Sequence, residues 1–129
     1  MPASWSRCKR TPDPPAATLV ILGSRDTEQG VRPEVMFRQS RRPRILVRLG
    51  GANHLGYTDP CSADNRVCAD RDAAGGIARG IQQDAAAAFL IAAARLFLLE
   101  DEDMPPYLQG IRDIGLRAQL PSLQVHAEL

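Results

Sequence analysis

Thr18-Leu19-Val20-Ile21-Leu22-Gly23-Ser24-Arg25-Asp26 decides the architecture of this 129-residue chain. Four consecutive apolar residues, two of them β-branched, stop at a glycine, which is the pattern of a strand covered on both faces. Such strands belong to parallel sheets. Arg44-Ile45-Leu46-Val47-Arg48-Leu49, closed by Gly50-Gly51, is a second one. Between them residues 31–41 read as a helix, with Pro33 near its start, Glu34 in the first turn, and Arg38 and Arg41 toward an end set by Pro43. Val35, Met36 and Phe37 are the expected inner face. Strand, helix, strand makes a parallel crossover the default and predicts an α/β arrangement, a partial parallel sheet with flanking helices.

Outward from this unit, residues 53–76 carry turn chemistry throughout, including Gly56, Asp59-Pro60, Asp64-Asn65, Asp70 and Gly75-Gly76, and predict a long surface loop. Ile77, Ile81, Ala85, Phe89, Ala92, Leu96 and Leu99 then recur at helical spacing, with Arg79, Gln82, Gln83 and Arg95 on other faces, so one helix is expected over 77–99. The acidic group 100–103 and Pro105-Pro106 should stop it. Residues 111–129 read as a tail of uncertain structure, where weak alternation over 120–125 is either a short strand or nothing. Residues 1–16, with four prolines, read as a disordered or loop lead.

Charge and composition exclude more than they assign. Sixteen basic against fifteen acidic side chains leave a net charge of +1, so nothing in bulk electrostatics favours nucleic acid or an anionic membrane. The apolar run 85–94 falls short of the roughly 20 residues of a membrane span and is expected to be a buried helix. No apolar stretch follows the basic residues near Met1, so the chain as written has no secretion signal and reads as soluble and cytoplasmic. Cys61 and Cys68 form either a disulfide or two reduced loop thiols, and Cys8 stands alone. A metal set drawn from these two thiols, His54, Asp59, Asp64 and Asp70 is disfavoured, because the six residues between the thiols exceed the usual two to four. No metal or organic cofactor is expected. Arg38, Arg41, Arg42, Arg44 and Arg48 lack interleaved aromatics and read as a solvated helix end, and His126 as solvent-exposed.

In an open parallel sheet, functional side chains collect beyond the carboxyl ends of the strands. Asp26 lies four residues past Leu22 and His54 five past Leu49, on strands expected to be neighbours. A carboxylate and an imidazole so placed form a hydrogen-bonded pair in which the acid sets the tautomer of the ring and steadies the imidazolium. The plainer alternatives are a turn or cap role for Asp26 and an exposed loop position for His54.

These residues resemble the α/β-hydrolase fold, in particular esterases similar to dienelactone hydrolases and to bacterial relatives of platelet-activating factor acetylhydrolase. Leu22-Gly23-Ser24-Arg25-Asp26 resembles the acid-bearing strand end of that family. Gly50-Gly51-Ala52-Asn53-His54-Leu55-Gly56-Tyr57-Thr58-Asp59 is similar to its histidine loop, which often runs on to a cysteine, here Cys61. The helix with Ala88-Phe89, followed by Tyr107-Leu108, resembles the one covering the end of the sheet. The resemblance spans residues 17–110 and implies hydrolysis of a small carboxylic ester or lactone by acyl transfer, without a cofactor. Asp26 would orient, His54 would act as base and then acid, and a serine would attack.

That serine is missing from the pattern. The family places it in Gly-x-Ser-x-Gly, ahead of the acid; no such run occurs here, nor does the glycine-rich oxyanion segment. Ser24 stands only two residues from Asp26. Burying Leu19 to Leu22 is worth about 1.5–3 kcal/mol each, or roughly 6–12 together, and two strands with helices on one face would not cover them. The expectation is the C-terminal portion of an α/β-hydrolase, truncated, split, or completed by an N-terminal hydrolase segment or a second copy. The alternative from another class is a noncatalytic interaction module on a hydrolase-derived scaffold.

Overall fold

The computed structural model describes residues 16–58, 75–120 and 122–129. The expectations for the lead up to residue 15, for Cys8, Cys61 and Cys68, and for loop residues 59–74, with Asp59, Asp64 and Asp70, lie outside the described residues.

The strand–helix–strand unit forms as β1 (Thr18–Gly23), α1 (Arg32–Gln39) and β2 (Arg44–Leu49). A 3-10 turn (Leu55–Tyr57), the long α2 (Arg79–Leu99), the short α3 (Pro105–Leu108) and β3 (Leu123–Glu128) complete the described elements. The sheet order is β1-β2-β3. β1 and β2 are parallel, with Thr18 opposite Arg44 and Gly23 opposite Leu49.

β3 runs antiparallel to β2, with Arg44 opposite Glu128 and Leu49 opposite Leu123. The sheet is therefore mixed rather than parallel, and the tail holds a full strand instead of an uncertain segment. Its alternation is real but shallow: Leu123, Val125 and Ala127 pack on the core, while Gln124, His126 and Glu128 face the other way. What anchors the strand is an ion pair. Arg44 donates from Nη2 to both carboxylate oxygens of Glu128 at 2.9 Å, and Arg42 Nε reaches the same group at 2.7 Å.

Both faces of the sheet are covered, correcting the expectation of helices on one face only. Val20, Leu22 and Leu46 pack with Phe37 of α1. Ile45, Val47 and Leu49 are fully buried on the other face, against Ala85, Phe89 and Ala92 of α2, and Leu19 and Ile21 are partly covered there. Met36, expected inside, is exposed, because successive helical residues turn by about 100° and three in a row cannot share a face. α1 is also shorter than 31–41. Arg44 Nη1 donates to the carbonyls of Phe37, Arg38 and Ser40 at 2.7–3.1 Å, closing the end of the helix with a cation where its dipole favours one.

α2 ends earlier than the prolines, at Glu100, which adopts the left-handed conformation with φ 54°. Pro105 and Pro106 instead open α3. By length and composition α2 is apolar enough to cross a membrane, and it is buried on one side only. Leu90, Ile91, Leu98 and Leu99 on its outer side are exposed, so the expected buried helix is half open.

Candidate active site

The site is built where the parallel ladder runs out. Beyond the strands, Ser24 N–H donates to Leu49 O at 3.0 Å and Arg25 N–H to Ala52 O at 2.9 Å, which carries the pairing of β1 and β2 into their following loops. Gly51 N–H donates to Ser24 Oγ at 2.8 Å. Gly23 permits this approach, since a Cβ there would stand 2.3 Å from the Ala52 carbonyl oxygen.

Loops stitched in this way leave Asp26 and His54 side by side, with His54 Nδ1 3.1 Å from Asp26 Oδ2. The other carboxylate oxygen, Oδ1, accepts the backbone N–H groups of Glu28 at 3.0 Å and Gln29 at 2.9 Å. Asp26 thus shapes its own turn and holds the imidazole at the same time; the two sequence readings are not exclusive. The Asp26 side chain is 9% exposed and that of His54 32%, so the bond is shielded while part of the ring faces outward. No group among the described residues bonds His54 Nε2. Ser24 Oγ accepts from Gly51, and Ser40 Oγ donates to Met36 O at 2.8 Å.

Sequence reasoning missed Gln82, which it placed on an outer face of α2. The residue is 1% exposed. Its Nε2 donates to Asn53 O at 2.7 Å, and its Oε1 accepts Asn53 N–H at 3.2 Å, so one amide side chain serves both polar groups of the residue before His54. The signal was present: Gln82, Ala85, Phe89 and Ala92 follow one another at steps of three and four, on the stripe that faces the sheet. Tyr57 closes the space nearby. Its hydroxyl is buried with no hydrogen-bond partner among the described residues. Burial first, then the negative charge of Asp26, push the phenol from 10.0 up to about 12.

The basic stretch does not form one surface. Arg44 and Arg42 hold Glu128, and Arg48 pairs with Glu34 at 2.9 Å, so the solvated description fits Arg38, Arg41 and Arg42, the last 72% exposed despite its ion pair, and not Arg44 or Arg48. Hydrogen bonds from Arg44, then Arg42, draw the Glu128 carboxyl down from 4.5 to about 2. His126 is 61% exposed, as expected, yet its ring meets Phe37 edge-on at 5.5 Å. No group of three or more metal-ligating side chains occurs among the described residues.

Comparisons of the chain with protein-family models, with curated proteins and with solved structures return no match.

Proposed function

We propose that this chain is the acid–base portion of an α/β-hydrolase-type serine esterase, acting on a carboxylic ester or lactone once a serine from another polypeptide is presented to His54. The supporting observation is the 3.1 Å bond between Asp26 and His54, formed by the loops that follow two neighbouring parallel strands. A carboxylate only accepts hydrogen bonds, so the bond places the proton on Nδ1 and leaves the Nε2 lone pair for an incoming hydroxyl. His54 then removes the serine proton as that oxygen attacks the acyl carbon. The same proton is delivered from Nε2 to the departing alkoxide, and Asp26 stabilises the imidazolium in between.

A second feature agrees with completion by another polypeptide. Among the described residues β1 is an edge strand, and beside it a groove of about 470 Å³ runs against α2, lined by Leu19, Leu90, Phe97 and Leu98. An open strand edge next to exposed apolar side chains invites a further strand.

The test uses the tagged chain isolated from its source cells, with a fluorophosphonate probe to report an activated serine. Labelling of a co-purifying segment is expected, to be lost in His54→Ala and to fall about 10⁴-fold in rate in Asp26→Asn, with association unchanged. Association without labelling would favour the noncatalytic module. Ester hydrolysis by the chain purified alone, abolished in His54→Ala, would overturn the need for an outside serine.

A further inference from the structure

We propose that Gln82 is the positioning residue of the Asp26–His54 pair, setting the tautomer of the imidazole by clamping the peptide group that carries it. The inference draws its functional meaning from the acid–base reading above but concerns only the state of the ring.

His54 Cα is aimed by the peptide between Asn53 and His54, and the carbonyl of that peptide accepts from Gln82 Nε2 at 2.7 Å. The preceding peptide is held through Asn53 N–H on Gln82 Oε1 at 3.2 Å. These two groups lie past Leu49, where the β2 ladder has ended, so without Gln82 their bonds to it would have no replacement from the sheet. Gln82 has little freedom of its own. It sits in the first turn of α2, whose Ala85 and Phe89 are locked in the core, and it is itself 1% exposed. Gly56 presses on the same amide, where a Cβ would stand 2.3 Å from Oε1. The position of a packed helix is thereby passed through one rigid amide to the backbone of the histidine loop, and from there to the direction in which Nδ1 meets Asp26 Oδ2.

A buried glutamine that merely satisfies a loop would cost stability when removed and leave the ring unaffected. The two cases separate in the tautomer of His54, read by long-range ¹H–¹⁵N NMR on the full chain, in which His126 is the only other histidine. The parent chain should hold the Nδ1–H form. Gln82→Met keeps the volume and removes both bonds, and it should shift the tautomer ratio toward Nε2–H by about tenfold, the equivalent of roughly one hydrogen bond. Gln82→Glu keeps the acceptor alone and should shift it partway, which decides the matter if the methionine variant does not fold. Leu22→Ala, on the opposite face of the sheet, should lower stability and leave the ratio unchanged. A folded Gln82→Met or Gln82→Glu variant with the parent ratio, or an equal shift in Leu22→Ala, overturns the proposal. An Nε2–H form in the parent chain overturns both this proposal and the acid–base reading, whereas absence of a labelled partner in the probe experiment leaves the tautomer result standing.

Discussion

Gly56 has no room for a side chain unless its neighbours shift, since a Cβ would stand 2.3 Å from Gln82 Oε1 and 2.4 Å from Asn53 Oδ1. Gly56→Ala must displace the amide that holds the histidine loop. It should destabilise the chain by about 1–3 kcal/mol, the range for overpacking a filled site, measured by urea unfolding. At this scale the adjacency of Asp26 and His54 was legible in the sequence, because distance past a strand end is a local property of the chain. Gln82 was not, although it lies on the buried stripe of α2. A polar residue on such a stripe is read as turned outward unless its partner is known, and that partner, Asn53, lies 29 positions away.

Among the elements, α2 has one packed side and one exposed apolar side. Its inner stripe packs on the sheet through Ala85, Phe89 and Ala92, while among the described residues nothing covers Leu90 and Leu98 beside the edge of β1. Replacing exposed side chains leaves folding nearly unchanged, so Leu90→Lys with Leu98→Lys should alter stability by no more than about 0.5 kcal/mol per site. Open apolar side chains favour self-association, so the parent chain is expected to associate with rising concentration in sedimentation velocity, and the same pair of substitutions to abolish that association. β1, β2 and α2 were legible because each carries its own period or an unbroken apolar run. β3 was not, because its alternation is weak and its anchor, Glu128, is matched by Arg44 from 84 positions earlier.

Across the whole molecule, the Arg44–Glu128 pair joins the end of α1, the start of β2 and the last strand. A carboxyl drawn down in the folded state lends stability that is fully present above its unfolded value and is lost as pH falls through the folded one. For Glu128 the window runs from about 4.5 to about 2. The melting temperature of the parent chain should fall across that window more steeply than that of Glu128→Gln, and at neutral pH the variant should melt lower; thermal scans by circular dichroism read both. By itself, the sequence determined the parallel pair of strands, the long helix, and the places where an acid and a base follow their strands, since each depends on residues within a few positions of one another. Only the tertiary structure decided that helices cover both faces, that the tail returns as an antiparallel edge, and that Gln82 turns inward. Those outcomes depend on ion pairs and amide bonds between residues far apart in the chain, whose free energy exists only once packing has removed the water between them.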